Sequence, residues 1–451
     1  MKSTIWRIWL IIILLCGLSL TGKAQAPNCD SSEAVPGQVA IQLVNAADLP
    51  AIAAQYNLNP TPIWQFGTRP IYILSFSDSR TVCQVVAQIT LPPPGDARFV
   101  FAEPNSRLKS PEAQGSSWSI GSSWSIGSSW SIGSSVKGTN RQWANSRIRL
   151  FEAQQGAEGS RGAGVTVAVI DTGIDLTHPA FAGRIAPNGY DFVDNDNNPQ
   201  EEGQQRVGSY GHGTHVAGIV AQVAPDAKIL PIRALNPNGE TTLRVLAEAI
   251  RYAVDPDNNP ITNDGAQIIN LSLGTPNKTD LIKSIAEDYI RDRKIVFVAA
   301  AGNGGNTVPI YPAAENSTDG LIAVGASKLG TLDSPCSDQF TDVITPFSTR
   351  GDGSGNAVRI FAPGDRIVSA IPGGRYGMWS GTSMAAPFVS GLAALVKSKY
   401  SDRTPAIIEE HIKNTSIELR NRGCGDLQTR WFRIDAAAAV FTIPPLPLLL
   451  Q

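Results

Sequence analysis

Four short segments of this chain carry side chains able to act on a carbonyl group. VTVAVIDTGID ends an apolar run on Asp171, SYGHGTHVAG carries His212, VFVAAAGN ends on Asn303, and WSGTSMAAPFVSG carries Ser383. A hydroxyl is a poor nucleophile near neutral pH, so a serine needs a base within hydrogen-bond reach. The base needs an acidic partner to hold its tautomer and stabilise the cation it becomes. Ser383, His212 and Asp171 are the candidates for these three roles. Ser383 opens a helical segment, where unpaired N–H groups favour developing negative charge, and its own N–H can donate to a tetrahedral oxyanion. Asn303, on a glycine-rich turn after a strand, offers a side-chain amide as the second donor. Gly381 and Ala385 beside Ser383 leave room for an acyl group.

Such a constellation must be held by rigid elements, and the surrounding sequence supplies them. Strand-like runs alternate with helical ones through VTVAVID, HGTHVAGIVAQV, AKILPIRAL, TTLRVLAEAIRYAV, QIINLSLG, DLIKSIAEDYIRD, KIVFVAAAGN and GLIAVGAS. This alternation predicts an α/β fold with a parallel sheet covered by helices on both faces. In open sheets of this kind chemistry lies beyond the carboxyl ends of the strands. The order Asp, His, Ser separates the site from an α/β-hydrolase, whose nucleophile comes first and sits in GxSxG; here Ala385 takes the last position.

DTGID, HGTHVAG, AAGN and GTSMAAP, in this order, resemble the subtilisin family of serine proteases, over nearly all of Arg141 to Val440. The resemblance implies a subtilisin-like parallel sheet sandwiched by helices. It also implies a serine endopeptidase that cuts protein or peptide substrates through an acyl-enzyme, with no cofactor for catalysis. Asp171, His212 and Ser383 then correspond to the triad and Asn303 to the oxyanion donor. Such a donor is worth about 10²–10³ in rate, a magnitude that comes from subtilisin itself. The INLSLG segment resembles the family's substrate-binding strand, which places Ser272, Leu273 and Gly274 along the cleft. By the same resemblance, Ile310, in GNGGNTVPIYP, is expected at the floor of the primary pocket. No acidic residue stands there, so an apolar or small residue is expected before the cut bond. Of the other histidines, His215 lacks the zincin pattern and reads as a packed helix residue, His178 as a loop residue, and His411 as part of a polar late helix.

A second constellation lies in DFVDNDNNPQEEG. Asp191, Asp194, Asp196, Asn198 and Gln200 are hard oxygen donors close enough in sequence to wrap one calcium ion, the alternative being a solvated acidic turn. The spacing resembles a calcium loop of the thermitase branch of the family, so a structural calcium is expected. Between AGIVAQ and VAPDAKIL the longer loop that carries a strong calcium site in many subtilisins is missing.

Upstream, Lys2 and Arg7 precede the apolar run WLIIILLCGLSL, the pattern of a secretory signal spanning 1–24, too short to be a comfortable membrane span. A lipoprotein at Cys16 is the weaker alternative because Leu15 precedes it. Export favours disulfides among Cys29, Cys83, Cys336 and Cys424. Four cysteines allow three pairings; Cys29 with Cys83 and Cys336 with Cys424 stay within one domain, and free buried thiols are the alternative. Residues 27–108 read as β-α-β-β-α-β, the split ferredoxin-like arrangement. This unit resembles the inhibitory propeptides of secreted subtilases, which implies an intramolecular inhibitor with the segment after Asn105 in the substrate groove. An independent binding module is the alternative.

A linker, 109–139, contains GSSWSIGSSWSIGSSWSIGSS. Its even period puts every Trp and Ile on one face if extended, but its composition suits a spacer. The peptidase domain is expected over 140–442, followed by a short tail, 443–451. A formal net charge of −2 over 451 residues gives no basic field for nucleic acid. A secreted, monomeric, self-processed endopeptidase is therefore expected, with a catalytically idle binding protein on the same scaffold as the competing reading.

Overall fold

The computed structural model describes residues 29–91, 95–111, 142–205, 207–259, 262, 264–315, 318–330, 342–351, 358–419 and 431–445. The expected signal segment with Cys16, the GSSWSI repeat, Cys336 and Cys424 lie outside the described residues.

Residues 29–111 form a small unit of β1 (Ala34–Leu43), α1 (Leu49–Tyr56), β2 (Trp64–Gln65), β3 (Ile71–Ser75), α2 (Val82–Thr90) and β4 (Phe99–Lys109). The strands pair antiparallel in the order β2-β3-β1-β4. Alternation along the strands gives the sheet two apolar faces. Val39, Ile41 and Leu74 pack with Val85 of α2, whereas Ala40, Ile71, Ile73 and Phe101 face away from the unit's own helices. A capping box between Thr81 and Gln84 starts α2. A disulfide joins Cys29 to Cys83.

The remaining chain begins with α3 (Trp143–Arg147), α4 (Leu150–Gln154), β5 (Thr166–Asp171), β6 (Tyr190–Asp191), α5 (His212–Val223), β7 (Lys228–Arg233), β8 (Glu240–Thr242) and α6 (Leu243–Val254). It continues through β9 (Ile268–Leu271), α7 (Asp280–Arg293), β10 (Val296–Ala300), β11 (Leu321–Leu329), β12 (Asp342–Ile344), β13 (Ile360–Pro363), β14 (Ile367–Ile371) and β15 (Arg375–Trp379). It closes with α8 (Thr382–Lys399), α9 (Pro405–Asn414), β16 (Ile417–Leu419), β17 (Trp431–Arg433) and α10 (Ala436–Phe441).

The central sheet runs β17-β13-β11-β10-β9-β5-β7-β6, all parallel, with β16 and β12 added antiparallel. Its strands are apolar on both faces, as a parallel sheet between helices requires. Val169 and Val298 point into the layer holding α5 and α8; Ala168, Ile170 and Phe297 point into the layer holding α6 and α7. From β5 the chain runs outward to β7 and returns to β9 on the other side, so the crevice at the strand order's reversal lies beside the end of β5.

The second apolar face of the N-terminal unit closes onto α6 and α7: Ile71, Ile73 and Phe101 share one core with Leu246 and Ile285. Every residue of α5 and nearly all of α8 is buried. The two helices cross where Gly391 has no side chain; a Cβ there would lie 2.5 Å from Val223 Cβ. Among the described residues no helix is long and apolar enough to cross a membrane. Gly391→Ala is expected to destabilise the protein by about 1–3 kcal/mol through overpacking. Val223→Ala should recover part of that loss in the double variant; denaturant unfolding of the four proteins of this cycle measures the coupling.

Candidate active site

Asp171 is the last residue of β5 and is fully buried. Its Oδ1 lies 2.7 Å from His212 Nδ1 and also accepts the Thr172 N–H at 2.8 Å. With Nδ1–H committed to the carboxylate, Nε2 is the basic nitrogen of the imidazole. His212 is the first residue of α5, and the approach of that helix to the strand end depends on Gly213. A Cβ at Gly213 would lie 2.1 Å from Gly173 O and 3.1 Å from Asp171 Cβ. The HGTH spacing therefore carries a steric requirement besides a chemical one.

Ser383 is the second residue of α8, behind Gly381 and Thr382. Pro387 sits four residues on and has no N–H, so the Ser383 carbonyl loses its helical donor. Ser272 Oγ supplies the replacement, donating to Ser383 O at 3.0 Å. Ser272 in turn accepts from Asn270 Nδ2 at 3.0 Å, and Asn270 Oδ1 accepts from Ser390 Oγ at 2.8 Å, which ties β9 to two turns of α8. Ser383 Oγ donates a long bond, 3.5 Å, to Ser272 O. Asn303 follows β10, and its Oδ1 accepts from Thr382 N at 2.9 Å and Thr382 Oγ1 at 3.0 Å. These two bonds leave the NH2 group as the donor end of the Asn303 amide, beside the start of α8.

A groove runs between β8 and Gly274, and a strand of the chain itself lies in it. β4 does not stop near Asn105 but continues through Arg107, Leu108 and Lys109, which pair antiparallel with Thr242, Thr241 and Glu240. On the other side Lys109 N–H donates to Gly274 O at 2.9 Å and Gly274 N–H to Lys109 O at 2.8 Å. Ser110 N–H donates to Gly239 O at 2.9 Å, and its hydroxyl meets Ser209 Oγ at 3.0 Å. Leu108 is fully buried in the core that contains Leu243, Leu246 and Leu273. The strand thus runs through Lys109, the first residue of the expected linker, because Lys109 has ladder partners on both sides.

Ile310 packs under this strand: a Cβ on Gly274 would lie 2.5 Å from Ile310 Cδ1, and one on Gly302 3.3 Å from Ile310 Cγ2. Further contacts seat the N-terminal unit. Glu103 accepts from Asp280 N at 2.6 Å and Leu281 N at 2.9 Å, capping α7. Trp64 Nε1 donates to Glu248 at 2.8 Å, and Arg69 pairs with Asp288 at 2.6 Å.

His215 is buried and stacks on Trp379, ring centroids 4.6 Å apart, with Nε2 3.1 Å from Ile367 O. Burial pushes its pKa down to about 3, so it stays neutral and donates. His178 caps a short turn through Nδ1 and donates from Nε2 to Arg375 O. His411 is buried rather than polar-faced, bridging α9 to Ala439 O at 2.8 Å.

In the acidic loop a guanidinium stands at the inner position. Arg233 NH1 lies 2.6 Å from Asp191 Oδ2 and 2.5 Å from Asp194 Oδ2, and NH2 lies 3.2 Å from Glu202. Asp191 Oδ1 accepts the N–H groups of Val193 and Asp194, Asp196 Oδ1 that of Asn198, and Gln200 Oε1 that of Leu176. The donors suit a hard cation chemically, but Arg233 takes Asp191 and Asp194, so of the five expected ligands only Asp196 and Asn198 are exposed and not engaged by Arg233 or by Leu176 N–H. Arg233 carried no signal in the sequence, because its register opposite Asp171 on β7 is a property of the sheet. Glu201 was equally hidden inside a run of polar residues; it is buried at the start of α5, and burial raises its pKa to about 8.

The chain thus combines a parallel sheet, an acid–imidazole pair at its carboxyl edge and a serine at a buried helix start. The sequence profile of the subtilase family matches residues 162–431, and the chain belongs to that family. It is 41% identical over 271 residues to a thermophilic serine proteinase of Bacillus sp. (strain AK1), covering 58% of each chain. It is 37% identical over 315 residues to thermitase of Thermoactinomyces vulgaris, covering 67% of this chain and 96% of thermitase. The fold matches the crystal structure of fervidolysin from Fervidobacterium pennivorans, described as a keratinolytic enzyme related to subtilisin. That match has a TM-score of 0.67 at 24% identity and covers 92% of this chain and 62% of fervidolysin. The chain thus spans less than two thirds of the length of two of these three relatives.

Ser272→Ala is expected to leave the Ser383 carbonyl buried without its donor, at a cost of about 1–3 kcal/mol. Thermal unfolding and steady-state kinetics on a peptide substrate check this: stability should fall, and kcat should fall with it.

Proposed function

We propose that this subtilase is an exported serine endopeptidase, made as a zymogen that processes itself. The reading rests most on one observation: the buried Asp171–His212 hydrogen bond stands beside a groove that already holds an extended peptide strand. In this mechanism His212 Nε2 takes the proton from Ser383 Oγ as the oxygen attacks the peptide carbonyl. Asp171 holds the Nδ1–H and stabilises the imidazolium. The Asn303 NH2 group and the Ser383 N–H receive the oxyanion. The proton then passes to the leaving amine as the acyl-enzyme forms, and water, activated by the same histidine, completes hydrolysis. The chain's own residues account for each of these steps.

The substrate is a protein or peptide bound as a strand between β8 and the Ser272–Gly274 segment, with the residue before the cut bond against Ile310. The N-terminal unit acts as the intramolecular inhibitor, because its last strand takes the place of a substrate and its sheet closes onto α6 and α7. A structural calcium binds at the outer edge of the loop through Asp196 and Asn198, with Arg233 fixing Asp191 and Asp194 at the inner edge. No step of the reaction passes through that ion.

An active-site-directed fluorophosphonate should label the processed wild-type protein and not Ser383→Ala; absence of label on the wild type would leave the binding-protein reading in its place. Ser383→Ala made in a protease-free host should accumulate with its N-terminal unit attached, as seen by intact mass. Removal of calcium with EGTA should lower the melting temperature of the mature protein by a few degrees, and Asp196→Asn should abolish that shift. An identical melting curve with and without the chelator would count against the ion.

A further inference from the structure

Three N–H groups in the first turn of α5 that the helix itself does not satisfy each have a partner of a different kind. His212 N–H donates to Ser209 O at 2.9 Å, and Gly213 N–H to Thr172 Oγ1 at 2.9 Å. Thr214 N–H donates to Glu201 Oε2 at 3.0 Å. Thr214 Oγ1–H adds a second bond to Glu201 Oε2 at 2.9 Å, while the same oxygen accepts from Asp175 N at 2.9 Å. The Glu201 backbone is anchored in turn: its N–H donates to Ile174 O at 2.9 Å, in the DTGID turn that carries Asp171. One buried side chain thus joins the turn after β5 to the turn that begins α5, the two pieces of chain that hold Asp171 and His212.

We infer that Glu201 is a positioning residue for the base, holding the first turn of α5 so that the His212 imidazole meets Asp171 and Ser383 together. The inference rests on the serine endopeptidase reading above. A carboxyl group buried beneath a polar loop loses its water and needs hydrogen bonds in exchange. Here Oε2 takes two of them, both from Thr214, on the one helical turn whose displacement misaligns the imidazole. Glu201 does not touch the reacting atoms, so its removal should leave substrate binding intact and slow the chemistry. Misplacement of a catalytic group by about 1 Å costs on the order of 10²-fold in rate.

The test uses the processed, full peptidase. Glu201→Ala, which removes the acceptor, is expected to lower kcat by about 10–100-fold with KM little changed, and to slow labelling by a small fluorophosphonate by the same factor. Glu201→Gln keeps an oxygen acceptor for Thr214 N–H and should restore both rates to within about threefold of the wild type. Wild-type labelling of Glu201→Ala overturns the inference, as does Glu201→Gln labelling as slowly as Glu201→Ala. Should Glu201→Ala fail to fold, Thr214→Val, which loses the hydroxyl that donates to Glu201 and accepts from Asp175 N–H, takes its place with Thr214→Ser as the rescue. A wild type that is not labelled at all refutes the endopeptidase reading instead, so the two failures are distinguishable.

Discussion

The hydrogen bond between Asp171 and His212 joins two side chains with no access to solvent, and much of the surrounding structure follows from the conditions that make it possible. A buried carboxylate needs donors in place of its water, and here the imidazole and the Thr172 N–H supply them at Oδ1. The imidazole reaches it only if the first turn of α5 presses against the end of β5. That demands a glycine at 213 and side-chain or loop acceptors for every N–H of the turn. α5 is then enclosed on all sides, which explains why most of its remaining residues are apolar or small and why the ring of His215 is held by backbone carbonyls.

The same logic governs the serine. Pro387 denies the Ser383 carbonyl its helical donor. Ser272 answers that carbonyl, so the strand edge that meets the bound peptide at Gly274 is bonded two residues earlier to the nucleophile's own backbone. Groove and nucleophile are thereby one mechanical unit. The N-terminal unit exploits both: its sheet is apolar on the face turned to α6 and α7, and its last strand continues without interruption into the groove.

Much of this was legible in the residues. Buried parallel strands read as continuous apolar runs, and motifs at their carboxyl ends fell where the crevice lies. The β-α-β-β-α-β order of the N-terminal unit was readable because its periodicity switches cleanly between two and 3.6. The double use of its sheet was harder to read, since alternation shows two apolar faces but not the partner of the second. Arg233 illustrates the limit in charge patterning: five oxygen-bearing residues within ten positions read as a cation cage, yet a guanidinium from a neighbouring strand meets two of them.

The sequence by itself determined the chemistry on offer: an acid, a base, a nucleophile and an amide donor, each at a strand end or helix start. Residue type and local period carry that information without reference to anything distant in the chain. Only the tertiary structure decided which groups meet. Glu201 and Thr214 lie thirteen positions apart on different elements, Ser272 and Ser383 more than a hundred, and Lys109 and Gly274 belong to separate folding units. Such contacts depend on strand register and on helix approach at single glycines. Those are set by the packing of the whole core and leave no pattern in any one segment.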